Sequence, residues 1–180
     1  IINEELKRIK NYINNNIISN NKIENKIEKK NNNEYKDIIN IKYFTKGNGV
    51  CRIFGQNFVK NNINNINLII NNKENKLIEK YDLKKGENII TIIIKNNLTN
   101  LSYMFADFHK LKDITELKYL NVKQCNNFGR MFSECSSLKD IKPLENWNVS
   151  NGNNFGYMFC GCLSLSDIKP LENWNVSNGN

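Results

Sequence analysis

The spacing of apolar residues changes twice along the chain, and each change marks a different kind of structure. Leu6, Ile9, Ile13 and Ile17, then Ile23 and Ile27, stand three or four residues apart or at sums of these, which predicts a helix with one apolar edge. Runs of asparagine, a poor helix former, interrupt it at 14–16 and close it at 31–33, so residues 1–35 read as a helical, low-complexity linker. From 36 to 98 the pattern becomes that of strands, predicted at Ile38 to Phe44, Val50 to Phe54, Ile66 to Ile70, Leu77 to Tyr81 and Ile89 to Ile94. Gly47-Asn48-Gly49 predicts a hairpin turn, and Asn71 to Asn75 a second hairpin loop. A small antiparallel β domain is expected over 36–98.

Beyond residue 99 the chain repeats itself with a period of 27 residues: 100–126, 127–153 and 154–180 align without insertion. The second and third copies differ at five positions, whereas the first keeps mainly the apolar frame. The aligned columns include Leu101/Phe128/Phe155, Phe105/Phe132/Phe159, Phe108/Cys135/Cys162, Ile114/Ile141/Ile168, Leu120/Trp147/Trp174 and Val122/Val149/Val176. No single copy can bury these side chains alone, so each is expected to stabilise its neighbours, at roughly 25 cal/mol per Å² of apolar surface removed from water. Each Met-Phe pair suits a helical turn, and a short strand is expected around Ile141 and Ile168, ended early by Pro143 and Pro170.

Met131, Phe132, Cys135, Leu138, Ile141, Trp147 and Val149, matched by Met158, Phe159, Cys162, Leu165, Ile168, Trp174 and Val176, resemble the BspA-like leucine-rich-repeat surface proteins. The same short repeat occurs in Mycoplasma-type surface lipoproteins and in protist proteins. The resemblance covers residues 100–180; in the first copy Phe108 replaces the Cys and Leu120 the Trp, which suits an entry cap. It implies an α/β-type leucine-rich-repeat solenoid over 99–180, with short strands and helical turns, capped by the β domain and preceded by the N-terminal helix. A chain starting at Ile1 and ending inside a repeating pattern reads as a fragment that continues past Asn180.

Asn, Ile and Lys fill nearly half of the 180 residues and Ala occurs once, a bias that nucleotide composition explains more simply than function. The mean hydropathy of -0.58 reflects a long polar part. No run of about 18 apolar residues is present, so no transmembrane helix is expected. The net charge of +8 sits entirely in residues 1–98, where 18 basic residues face 10 acidic ones, while 99–180 carry 8 of each. Nucleic acid or an anionic surface is therefore a possible partner for the first half, yet its lysines alternate with Glu and Asn, and Arg is confined to Arg8, Arg52 and Arg130. That pattern fits a solvated face better than a phosphate reader.

A single histidine, His109, leaves few ways to build catalysis on imidazole, and its column also holds Ser136 and Leu163. Five cysteines without a Cys-x-x-Cys pair argue against a disulfide framework or a zinc ribbon; two of them occupy a column that wants a small apolar filler. No catalytic, cofactor-binding or metal-binding residue is assigned. Asp113/Asp140/Asp167 and Asn121/Asn148/Asn175 are identical in all copies. They read as turn and backbone caps ahead of a binding stripe. Polar positions that vary between copies, or flank the expected strand, are better candidates for contact with a partner: Lys112, Lys139, Lys142, Lys169, Arg130 and Tyr157.

The functional expectation is a non-catalytic protein-interaction module. The resemblance places it at a cell surface with an adhesive role; unpaired thiols favour the alternative, an intracellular scaffold.

Overall fold

A computed structural model of the chain describes residues 36–71 and 73–179. The helical linker expected over 1–35 lies outside the described residues. In chain order the elements are β1 (Asp37–Thr45), β2 (Gly49–Arg52), α1 (Gln56–Asn62), β3 (Ile66–Ile70), β4 (Lys73–Lys76), β5 (Lys80–Leu83) and β6 (Gly86–Ile94). Three short 3-10 helices follow, at Thr115–Tyr119, Lys142–Leu144 and Lys169–Leu171.

The isoleucine-rich strands pair as an antiparallel sheet ordered β1-β6-β3-β4. Its register aligns Ile39, Ile92 and Leu68 in one row and Ile41, Ile90 and Ile70 in the next. All six are buried, as alternation in a sheet with one covered face requires. The Gly47-Asn48-Gly49 turn does not close a hairpin. It carries the chain from β1 into a second sheet, in which β2 pairs with β5. The expected strand at Leu77 to Tyr81 is replaced by β4 and β5 on either side of Leu77–Glu79. Helix α1, unforeseen in the sequence, buries Phe58 and Asn62 one turn apart, and Phe54 just before it packs against Phe58 with ring centroids 5.5 Å apart.

The α/β-type leucine-rich-repeat solenoid expected for 99–180 does not form. Among the described residues, strands lie only between Asp37 and Ile94, in antiparallel sheets, and the one α-helix is α1. β pairing between the copies is limited to single parallel bridges at Asn100, Asn127 and Asn154, and their regular structure is limited to the 3-10 turns. Two features of the chain accompany the observed backbone. Tyr103, Asp107, Arg130, Glu134, Tyr157 and Gly161 all have left-handed backbone with φ between 56° and 73°, which folds the Met-Phe segment into consecutive turns. Pro143 and Pro170 lie inside the 3-10 helices, near the start, where a missing N–H costs no hydrogen bond.

Side chains from both parts join one hydrophobic core. It runs from Ile39 and Phe54 through Phe105, Phe132 and Leu138 to Met158 and Cys162. Phe54 bridges the two parts, with its ring centroid 6.2 Å from that of Phe105.

Candidate interaction surface on the third copy

The left-handed residues set the direction of the backbone donors. In the first copy Leu101, Tyr103, Phe105 and Asp107 donate N–H to the carbonyls of Asn127, Gly129, Met131 and Ser133, at 2.8, 3.2, 2.9 and 2.8 Å. Phe128, Arg130, Phe132 and Glu134 donate in the same way to Asn154, Gly156, Met158 and Cys160, at 2.8, 3.0, 2.9 and 2.7 Å. Intervening N–H groups close local turns, as from Met104 to Leu101 and from Ala106 to Tyr103. Every second amide therefore points at the following copy. Non-glycine residues in this conformation each cost about 1 kcal/mol, which the shared ladder must offset.

Side chains reinforce the ladder. Phe128 and Phe155 stack at 5.2 Å, Phe132 and Phe159 at 5.6 Å, and Trp147 and Trp174 at 6.2 Å, all within 8° of parallel. The indoles of Trp147 and Trp174 donate to the carbonyls of Leu117 and Leu144 in the preceding copy. The thiols of Cys135 and Cys162 donate to Phe105 and Phe132 at 3.1 Å. The Cys column thus needs a small donor, beyond the apolar filler expected from the sequence. The first copy has no copy before it. There Phe108 fills the Cys position, edge-on to Phe105 and under the Arg52 guanidinium, which also pairs with Asp107 at 3.4 Å.

The conserved-looking polar columns are structural. Asp113, Asp140 and Asp167 each accept the N–H two residues on, from Thr115, Lys142 and Lys169. Asn121, Asn148 and Asn175 do the same for Lys123, Ser150 and Ser177. Contacts from asparagine to the neighbouring copy come instead from Asn151 and Asn178, which donate to the carbonyls of Lys123 and Ser150.

Among the sequence-derived contact residues, Arg130 and Tyr157 come together: the guanidinium lies 4.5 Å from the ring centroid. Lys142 and Lys169 are exposed at the starts of successive 3-10 helices, and Lys112 and Lys139 are exposed just before the Asp caps. No hydrogen bond or ion pair joins these lysines to the Arg130–Tyr157 pair among the described residues. His109 is exposed, with Nδ1 2.8 Å from the Glu134 carbonyl. Burial pushes the Cys125 and Cys135 thiols up to about 12, away from the thiolate that nucleophiles and metal ligands use. Among the described residues no three His, Cys, Asp or Glu side chains converge as a metal site would require, and no helix is long and apolar enough to cross a membrane.

What sequence reasoning missed is the end of the third copy. Phe155, Tyr157, Phe159 and Gly161 occupy the donor positions of the ladder, and their N–H groups find no acceptor among the described residues. The columns that the next copy covers elsewhere are open here. Ile168 is 66% exposed where Ile141 is 1%, and Val176 is 47% exposed where Val149 is 1%.

These features belong to a repeat protein, and comparison with known families gives it a place. A family model described as "Mycoplasma protein of unknown function, DUF285" matches residues 72–180, and the chain belongs to that family. The match begins inside the sheet region, upstream of the repeats. No curated protein and no solved structure matches the chain.

Proposed function

We propose that the chain is a non-catalytic protein-interaction module. The side chains proposed to meet a partner are Lys112, Lys139, Lys142, Lys169, Arg130 and Tyr157. One observation carries this reading. Tyr157 is 65% exposed, and the Arg130 guanidinium lies 4.5 Å from its ring centroid. Tyrosine and arginine are enriched at protein-binding surfaces relative to the rest of a protein's surface. The resemblance to BspA-like surface proteins supports an adhesive role at a cell surface.

A photo-crosslinker placed at Tyr157 should capture one saturable protein species in the source cells, competed by unlabelled chain, while the same group at Val50 should not. Equal capture at both positions would refute the reading. Location is tested separately by labelling intact source cells with a membrane-impermeant amine reagent. Modification before lysis supports the adhesive role, and protection until lysis excludes it. The second reading, an intracellular scaffold, is favoured by five cysteines that are all free; it predicts that protection.

A further inference from the structure

We infer that the corner between β1 and β2 docks the protein on a bilayer surface that carries anionic lipids. Phe44, near the end of β1, is 80% exposed, and Val50, in β2, is 72% exposed. Among the described residues neither belongs to the hydrophobic core nor packs against it. Alternation explains why. Ile39, Ile41 and Tyr43 turn to the core, which leaves Phe44 on the outer face of β1; Cys51 and Tyr81 do the same for the second sheet, which leaves Val50 outside. In register Phe44 stands opposite Glu87 and Val50 opposite Asp82, so neither has an apolar partner across its strand pair. The corner between them stands clear of the molecule: a Cβ added at Gly47, Gly49 or Gly86 would meet no described heavy atom within 4 Å. It is also held in shape. The Lys85 N–H donates to the Asn48 side chain at 2.8 Å, and the Lys84 carbonyl accepts from both the Thr45 hydroxyl and the Asn88 amide.

Charge selects the occupant. Residues 42–50 and 80–87 carry five exposed lysines, Lys42, Lys46, Lys80, Lys84 and Lys85, against the two acids Asp82 and Glu87, a balance of +3. Glu87 lies 3.9 Å from Lys42, and Lys46, Lys84 and Lys85 stand at the corner itself. Each lysine beside an anionic bilayer raises partitioning about fivefold, and its long stem lets the ammonium stay among headgroups while apolar neighbours enter the boundary beneath. A bilayer surface yields to a prominent corner, whereas a protein partner anchors such side chains in well-packed pockets. Bidentate recognition of nucleic-acid phosphates favours arginine, and neither segment contains one. The inference goes beyond the interaction reading and leaves its surface free. The corner closes β6 at Gly86, whereas the chain leaves for the repeats, with Arg130 and Tyr157, from Ile94 at the other end of that strand. Val50 then meets lipid, in keeping with its use as the position where no protein capture is expected.

The test is co-sedimentation of the full chain with vesicles of phosphatidylcholine alone and with vesicles in which phosphatidylserine makes up about a third of the lipid. Binding to the mixed vesicles should be at least about tenfold stronger and should weaken as salt rises. Replacing Lys46, Lys84 and Lys85 together by Gln should lower it by at least about tenfold. Phe44→Ser combined with Val50→Ser changes two exposed side chains and no charge, so the variant should melt as the wild type does. It should nevertheless bind the mixed vesicles at least about tenfold less, while Phe44→Trp should bind as well as the wild type. Lysines elsewhere in the chain attract the same lipids, so the serine variant decides. Binding that it leaves intact overturns the inference, as does equal binding to the two kinds of vesicle. Retention on single-stranded polyuridylate without vesicle binding, or saturable capture of a protein from position 50, overturns it in favour of that occupant. Loss of vesicle binding alone leaves the interaction reading standing; that reading fails separately, through the crosslinking comparison at Tyr157 and Val50.

Discussion

Gly55 lies so close to Tyr103 that a Cβ on the glycine would stand 2.0 Å from the Tyr103 carbonyl oxygen. Its φ of -68° is open to any residue, so contact, not conformation, requires glycine here. The approach lets Gly55 N–H reach the Met104 carbonyl and places Phe54 against Phe105, which joins the sheets to the repeats. Gly55→Ala should therefore destabilise the protein by about 1–3 kcal/mol, the usual cost of overpacking. Chemical denaturation checks this. A midpoint equal to that of the wild type would show that the two parts do not depend on this contact.

Trp147 is buried and donates its indole N–H to Leu117, whereas Trp174 makes the equivalent bond to Leu144 from the half-open last copy. Trp147→Phe removes the donor and part of the ring between two copies and should cost about 1–2 kcal/mol. Trp174→Phe should cost less, since Trp174 is only half-buried and solvent can approach the vacated position. Thermal melts of the two variants, compared side by side, test the ranking. Equal losses would mean that stacking order does not govern the strength of the bond.

The parts of the fold that were legible in the sequence follow from alternation and repetition. Ile66 to Ile70 was read with its observed bounds, and the columns Phe132/Phe159 and Trp147/Trp174 stack as aligned. What was not legible depends on backbone conformations that side chains barely advertise. Tyr103, Asp107, Arg130 and Glu134 carry no signal for positive φ; only Gly161, in the same column as Glu134, hints at it. Without those left-handed residues the Leu-x-x-Ile-x-x-Leu spacing reads as a strand within a leucine-rich repeat, and the family resemblance pulled the expectation the same way. Helix α1 escaped because its seven residues are mostly polar and bury only Phe58 and Asn62. Arg130 and Tyr157 share an alignment column, but neither their contact nor the donor ladder between copies was legible in the sequence.

The cysteines should differ sharply in reactivity. Cys160 is exposed, whereas Cys125 and Cys135 are fully buried with their thiols pushed up to about 12 by burial. At pH 8 iodoacetamide should modify Cys160 first and leave Cys125 and Cys135 untouched until the protein is denatured. Intact-mass and peptide mass spectrometry follow the order. Modification of Cys135 at the rate of Cys160 would contradict the thiol-to-carbonyl bond to Phe105.

Asp113 links the first copy to acid stability. The Thr115 backbone N–H, and secondarily the Thr115 side chain, hold its carboxyl below the ordinary value of 3.8; burial opposes this and Lys42 adds a smaller pull in the same direction. A depressed folded-state value means that the unfolded chain binds the proton more readily. The carboxylate's contribution is therefore complete above the unfolded value and is lost as pH falls through the folded one. Asp113→Asn keeps an acceptor for the Thr115 N–H but cannot titrate. Wild type should melt higher than this variant at neutral pH, and the gap should close below about pH 4. Much of the site faces solvent, so the gap should be small and should shrink in high salt. Melting curves from pH 7 to pH 2 decide it: a gap that persists at the acid end would show that the side chain acts through its shape and not through its charge.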